Sequence, residues 1–574
     1  MTHSPLFRAL LQALQQARRD ERAASGVPAP VGEPRPGWTR RRFLRAAAIA
    51  AGAGAASLAG APPAAATPAG RPPRIAIVGG GIAGLNAALH LKRRGLQATV
   101  YEARQRLGGR TVSARRALAT GLILDVGGSL INSDHEDILD LARRFDLPLF
   151  DRIADGERRP FPLTGYIAGG RVRSETEVAD GLRPLAARIA ADAERLDADF
   201  DRYGPLFDRL SVAQYLDRHA DAISQPFVRA LVEAGIRTEY GVEPAESSAL
   251  QLLFNLPTVD GRAVELLGNS DEQFMVRAGT GAFAADFAAR LRGQIQLGQR
   301  LVRVARQGSG FRLTFHAQPA PLWHDPLSEE DPDLTVSTHL PAGAPFETEV
   351  EADYVIVAIP FTVLRQVELP PLPRDLVRFI FEVDLGRNEK VFAGFDAKAW
   401  RRDDGFVGEC WTDLGFSEVW EESQRQPGRD DGALTFFVGG SQVDAVVGRS
   451  AESAGKRFVA ELDQALPGVA AAAGGRWFRS KWTRDPFCLG AYSNYRPGQL
   501  TRFAPWFWIE GETPAETQES SFGNLLFAGE HLSDAFYGFM NGAAQTGRLA
   551  AHAVARRVAG GGIVVTGPIG GDAR

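Results

Sequence analysis

Three glycines, an acid and a lysine carry the chemistry most readily read in this chain of 574 residues. Gly79, Gly81 and Gly84 stand in G-x-G-x-x-G spacing behind Arg74-Ile75-Ala76-Ile77-Val78, and Glu102 lies eighteen residues beyond the last of them. Glycine permits a tight turn and close backbone approach, a helix N-terminus offers unpaired N–H groups to a pyrophosphate, and an acid there accepts from ribose hydroxyls. Lysine is scarce: Lys92, Lys390, Lys398, Lys456 and Lys481 stand against 60 arginines. Lys390 sits in the apolar run Glu389-Lys390-Val391-Phe392-Ala393-Gly394-Phe395. A buried ammonium is costly without a task, and unlike a guanidinium it can change protonation state and hold a small water.

These residues need a frame. Ile75 to Val78 predicts a buried strand, Leu85, Ala88, Leu89 and Leu91 space a helix up to Gly95, and Ala98 to Tyr101 predicts a second strand ending at Glu102. That order predicts an α/β chain built on a Rossmann-like βαβ dinucleotide-binding unit. Helical spacing returns at Ile138, Leu139, Leu141 and Phe145, from Leu182 to Leu196, and from Ser248 to Phe254 beyond a turn at Glu239 to Pro244. These helices are expected to form a lid. His316 to Phe346, dense in Pro, Asp and Glu, reads as a surface insertion between strands.

Arg106-Leu107-Gly108-Gly109-Arg110-Thr111-Val112-Ser113 follows Glu102 and can bring further backbone N–H and guanidinium groups to phosphates. With this segment the chain resembles the flavin amine oxidases, the superfamily of monoamine, polyamine and L-amino acid oxidases, and the resemblance covers most of residues 73–558. It implies FAD rather than NAD, with Gly79, Gly81, Gly84, Glu102, Arg104, Gly108, Gly109 and Arg110 in the binding set. Asp125-Val126-Gly127-Gly128-Ser129 is similar to the family segment beneath the isoalloxazine ring, and Val302, in Arg300-Leu301-Val302, to the valine whose backbone meets the adenine. Tyr354 to Pro360 resembles the buried strand returning to the nucleotide domain. Asn524 to Glu530 and Gly538 to Gly542 resemble the segments that place Gly529 and Glu530 at the ribityl chain and the Met540 N–H at the flavin N1/O2 edge. A helix start there adds positive dipole where negative charge develops on reduction.

The same resemblance makes Leu385 to Trp400 the strand whose lysine, Lys390, holds a water next to flavin N5 and assists reoxidation and imine hydrolysis. It makes Tyr492 and Phe539 the aromatic cage that sandwiches the substrate amine. The implied reaction is hydride transfer from the amine α-carbon to flavin N5, imine hydrolysis, and reduction of O2 to hydrogen peroxide. Two departures matter. Ala491 stands where animal monoamine oxidases carry a flavin-linking cysteine, which implies non-covalent FAD, and Cys488 is out of register, a buried thiol. Ser129-Leu130-Ile131-Asn132 lacks the arginine that many L-amino acid oxidases place there, so a primary amine or polyamine is expected ahead of an L-amino acid. The rival readings are an L-amino acid oxidase, an amino-acid 2-monooxygenase, a catalytically inactive flavin-binding partner protein, and a desaturase of a lipid-like substrate.

Thr39-Arg40-Arg41-Arg42-Phe43-Leu44-Arg45, the Ala/Gly-rich stretch Ala46 to Ala61 and Ala64-Ala65-Ala66 resemble a twin-arginine export signal. That implies passage through the twin-arginine translocase and a periplasmic or extracellular location. Residues 1–66 hold nine arginines against three acids, leaving 56 basic and 66 acidic groups elsewhere, a balance that argues against nucleic acid. Two cysteines exclude a disulfide framework, nine histidines show no paired metal spacing, and no other run is apolar enough for a stable membrane span. A homodimer is left open. The expected order is a signal over 1–66 and a linker over 67–73, then FAD-binding segments over 74–133, 268–310, 351–366 and 501–574. Interleaved with these are a helical substrate or lid region over 134–267, a strand with an insertion over 311–350, and the α+β substrate-binding sheet over 367–500.

Overall fold

The computed structural model describes residues 71–317 and 346–560, apart from 256, 269, 512, 514 and 515. The export signal and nearly all of the insertion expected from His316 to Phe346 lie outside the described residues.

Ile75–Val78 is buried at every position, as a strand covered on both faces must be. It pairs in parallel with Ala98–Tyr101 on one side and Tyr354–Val357 on the other. The complete sheet runs Ile295–Gln296, Ala98–Tyr101, Ile75–Val78, Tyr354–Val357, Leu525–Phe527, Ser521–Phe522, so strands from both ends of the chain meet in one layer. The helix Ile82–Lys92 is buried along almost its whole length, because Met540–Val558 packs against it. Each fully buried Leu or Ile there contributes roughly 1.5–3 kcal/mol. Asn86 Nδ2 donates to Ala544 O at 2.7 Å, satisfying a buried amide between the two helices.

A second sheet of seven strands faces the first domain: Ala473–Arg479, Asn388–Phe395, Gly432–Gly439, Glu418–Glu421, Glu409–Thr412, Thr164–Ala168, Arg171–Val172. Region 134–267, read from its spacing as helical, therefore also supplies two strands of this sheet. The hairpin is too short, and too interrupted by Gly165, Gly169 and Gly170, for alternation to show in the sequence. Its helices include Glu175–Ala198, N-capped by the Ser174 hydroxyl, and Pro226–Tyr240. The latter stops where Gly241 adopts φ +64°. Its last turn delivers Thr238 and Glu239 to the space between the two sheets. Among the described residues, no helix is long and apolar enough to cross a membrane.

Candidate active site

One cavity runs from the end of the first sheet to the face of the second. Its near end is made of backbone. Gly79 turns the chain at φ +108°, a conformation that L side chains rarely adopt, and a Cβ there would strike the Ala358 carbonyl. Gly81 has open space where a side chain would stand, so it leaves a cradle along the slot. Gly84 lies off the wall and instead lets the helix close against the Gly79 carbonyl. Glu102 accepts from Gly80 N at 2.6 Å and from Arg104 N at 2.7 Å, which fixes its carboxylate at the slot. Gly108, Gly109 and Arg110 line the opposite side.

Arg104 also lines the slot. The Arg104 guanidinium is held by Asp485 at 2.6 and 2.7 Å and lies 4.8 Å over the Phe487 ring, so its backbone rather than its charge is committed to Glu102. Val302 is not on the wall. Gln299, Arg300 and Leu301 line it, and an irregularity in strand register between Leu301 and Arg303 carries Val302 past, where its carbonyl accepts from Glu368 N at 2.9 Å.

In the middle of the cavity, Glu530 accepts from Ser493 Oγ and Gly538 N, both at 2.7 Å, and from Arg110 at 2.9 Å. Burial alone would raise this carboxyl, but the Arg110 charge, aided by His531 and the hydrogen bonds from Ser493 and Arg110, brings it below the usual carboxylate range. Phe539 caps the helix that begins at Met540, and Gly529, Phe539 and Met540 all line the cavity, with the Met540 side chain against Gly128. That helix presents its positive end here.

Lys390 closes the far end. It is 6% exposed, and its Nζ donates to Asp125 O at 3.0 Å, Gly127 O at 2.6 Å and Ser129 Oγ at 2.5 Å. The three ammonium donors thus grip the 125–129 loop, and the Trp420 ring lies 5.0 Å away. Burial lowers Lys390 to about 8, opposed by the charges of Glu422 and Asp125 and reinforced by that of Arg425. The loop is anchored from behind: fully buried Arg425 pairs with both Asp125 and Glu422, and Glu422 accepts from Asp125 N at 2.8 Å. Trp482 Nε1 donates to Val126 O at 2.9 Å.

Tyr492, whose hydroxyl donates to Thr238 O, and Phe539, whose ring lies 5.0 Å from His135, both face this chamber. Trp420, Phe437, Glu239, Glu272 and Glu418 complete it, and sequence reasoning missed all five. A weak signal was present for one: Glu418 opens a short, fully buried strand, Glu418-Val419-Trp420-Glu421, that carries an acid at each end. Cys488 also reaches the wall, its thiol pushed up to about 12 by burial and by Asp485.

An open cradle at Gly81, a fixed acid at the βαβ turn, an anchored loop and a helix N-terminus along one slot fit an extended flavin dinucleotide. Residues 82–555 match the family described as flavin containing amine oxidoreductase. The chain belongs to this family. The amine oxidoreductase is 26% identical over 504 residues to a putative flavin-containing monoamine oxidase, AofH, of Mycobacterium tuberculosis, covering 84% of this chain and 96% of that protein. It is 26% identical over 500 residues to the putrescine oxidase of Kocuria rosea, covering 83% and 94%. A solved putrescine oxidase bound to putrescine shares the fold, with a TM-score of 0.64 at 22% identity over 84% of this chain and 99% of that one. The protein is therefore an FAD-dependent enzyme that oxidises amines.

Proposed function

We propose that this enzyme oxidatively deaminates a primary amine or polyamine at the chamber walled by Tyr492 and Phe539, with FAD bound without a covalent link. When bound, FAD supplies the hydride acceptor for the amine α-carbon and passes the electrons to O2, giving hydrogen peroxide. The observation that carries this reading is the placement of Lys390: a buried amine gripping the 125–129 loop where the nucleotide slot opens into an aromatic chamber.

The chain's own residues divide the work. Glu102 and the Gly79–Gly81 turn hold the nucleotide, the Gly127–Ser129 segment and Met540 form the bed at its reactive end, and Glu530 holds the intervening chain. Tyr492, Phe539, Trp420 and Phe437 exclude water and favour the neutral amine, the form whose C–H bond can be given up. Lys390 moves a proton at Nζ. Charged, it spends its three donors on the loop; neutral, it keeps two and gains a lone pair for a water. A water held by that lone pair would serve to hydrolyse the imine. Ala491 offers no nucleophile to the cofactor and the Cys488 thiol stays protonated, which supports non-covalent binding.

An amine is favoured over an L-amino acid because Glu239, Glu272 and Glu418, which face the chamber, can accept from an amine nitrogen but give a substrate carboxylate no cationic partner. The twin-arginine signal supports export of the folded flavoprotein to the periplasm or beyond. The test is anaerobic mixing of the purified yellow protein with a panel of amines and L-amino acids. Amines should bleach it, and Lys390→Met should slow turnover in air about a hundredfold. Bleaching by amino acids alone, or an unaffected Lys390→Met variant, would overturn the reading.

A further inference from the structure

Glu422 opens the turn Glu422–Arg425 directly after the strand Glu418–Glu421, and it is fully buried. Its two oxygens serve different walls. Oε1 accepts from Asp125 N at 2.8 Å and pairs with Arg425. Oε2 accepts from Trp420 Nε1 and from Thr435 Oγ1, both at 2.9 Å. Each oxygen thus takes two donors, which uses the full accepting capacity of a carboxylate. Bonds to a charged acceptor are about twice as strong as neutral ones, so the side chain is held firmly in one place.

The two routes from this carboxylate meet again at Lys390. On one side, Asp125 gives its N–H to Glu422 while its carbonyl accepts from Lys390 Nζ at 3.0 Å, so one residue's backbone lies between the acid and the amine. On the other, the Trp420 indole donates to Glu422 while its ring lies 5.0 Å from Lys390 Nζ. Sheet register makes this closure possible. Trp420 stands opposite Thr435 and Lys390 opposite Phe437. Directly paired residues, and residues two apart on one strand, project to the same face, so all four side chains share it. Arg425 binds Asp125 from behind, and Asp125 Oδ1 accepts from Ser113 Oγ at 2.6 Å and Thr280 N at 2.8 Å. Displacing either the loop or the aromatic wall therefore breaks a bond to Glu422.

We propose that Glu422 is a positioning residue of the reaction: by binding Asp125 and Trp420 at once, it sets where the Lys390 amine stands between the 125–129 loop and the aromatic wall. This rests on the reading of Lys390 as the residue that moves a proton. Glu422 does not itself line the cavity, so it acts through these neighbours and not on substrate or cofactor. Packing alone does not call for a charge here, since a buried ion pair is often no more stabilising than apolar residues of similar volume. The charge also bears on the amine. Burial favours its neutral form; against burial stand Glu422 first, then Asp125 and Glu418, while Arg425 works with it. Glu239 and Glu272 line the same chamber, and Ser129, Trp420 and Phe437 add no charge.

The experiment is a double-mutant cycle on the holoenzyme with Glu422→Gln, Lys390→Met and the two combined. It is read as turnover in air on whichever amine of the test panel bleaches the flavin fastest. Gln offers one acceptor oxygen where Glu offers two, so it can serve one wall but not both. Glu422→Gln should slow turnover about tenfold beside Lys390, and by less than about twofold in the Lys390→Met background. Equal slowing in both backgrounds is the result of a merely structural carboxylate and overturns the proposal. The pH profile of turnover gives a second readout. Its Lys390 limb should move to lower pH in Glu422→Gln, because the amine has lost a charge that favoured its protonated form. An unmoved limb likewise overturns the proposal. Thermal unfolding and the flavin absorption spectrum show whether Glu422→Gln folds with its cofactor. Should it fail, Thr435→Val takes its place in the cycle, removing one donor to Oε2 outside the cavity, with about threefold slowing expected beside Lys390 and none in Lys390→Met. If no amine bleaches the flavin, or if Lys390→Met turns over like the wild type, the reading of the site falls and this proposal with it. If Lys390→Met is slow and the cycle is additive, only this proposal falls.

Discussion

The two ends of the cavity are built by different means. At the nucleotide end the functional groups belong to the backbone around Gly79–Gly81 and Gly108–Gly109, with one carboxylate, Glu102, tied down by two amide N–H groups. At the chamber end they are side chains on a sheet, Lys390, Trp420, Phe437 and Glu418, joined by Glu272 from another segment and Glu239 from a helix end. The backbone end needs only short-range turns. The chamber end places buried charges against each other and stays intact through long-range ion pairs such as Arg425 with Asp125 and Glu422. Position is cheap in the first case and costs desolvation in the second.

The largest effect should come from breaking the backbone end. In Gly79→Ala a side chain would stand at φ +108° against the Ala358 carbonyl, strain of about 3 kcal/mol or more with no flexible atom to yield. The purified variant is expected to be colourless, read from its flavin-to-protein absorbance ratio. A yellow Gly79→Ala protein with normal turnover would show that the turn does not govern cofactor retention.

At the chamber end, Arg425→Leu removes the cation shared by two fully buried carboxylates. Breaking a buried pair from one side costs about 3–5 kcal/mol, since the remaining charge is uncompensated. Chemical denaturation should show a loss of that size. Because Asp125 leads the loop gripped by Lys390, the flavin spectrum should also change. A loss below about 1 kcal/mol would mean that the carboxylates find water or a proton without structural cost.

The same contrast explains what could be read from the sequence. The βαβ unit was legible because its signals lie within thirty residues and each residue type has a local reason. Lys390 was legible by type alone, an amine in an apolar strand. Val302 was displaced by an irregularity in strand register that no local pattern announces. Glu418 could not be placed beside Lys390, because two strands must first pair in the right register with a third, and Glu272 arrives from more than a hundred residues away. Likewise the Thr164–Val172 hairpin joins the second sheet through parallel pairing with Glu409–Thr412, a contact spanning over two hundred residues.

A pH series sharpens the comparison, since the chamber end holds a carboxyl that titrates far from its ordinary value. Burial, the charge of Glu409, and those of Glu239 and Asp271 raise Glu272 from 4.5 to about 8, with Arg152 opposing. The folded chain therefore keeps a proton that the unfolded chain sheds, across pH 4.5 to about 8. More protons bound in the native state means that this contribution to stability is lost as pH rises through the window, by on the order of a few kcal/mol. Glu272→Gln, which cannot titrate, should flatten the curve of unfolding free energy against pH. An unchanged slope would place the proton elsewhere in the cluster.

The smallest effect is expected at Tyr492. Its ring is a wall of the chamber, while its hydroxyl is spent on the Thr238 carbonyl, outside the reaction. That carbonyl also accepts from Asn388 Nδ2 at 3.1 Å, so Tyr492→Phe leaves it with a partner and costs only about 0.5–1.5 kcal/mol. If the ring matters through shape and exclusion of water, the rate of flavin reduction should stay within about fivefold of the wild type. Tyr492→Ala, which opens the wall, should fall much further. Equal losses in the two variants would mean that the hydroxyl, held on the helix that also delivers Glu239, sets the chamber's shape through Thr238 and not through the ring.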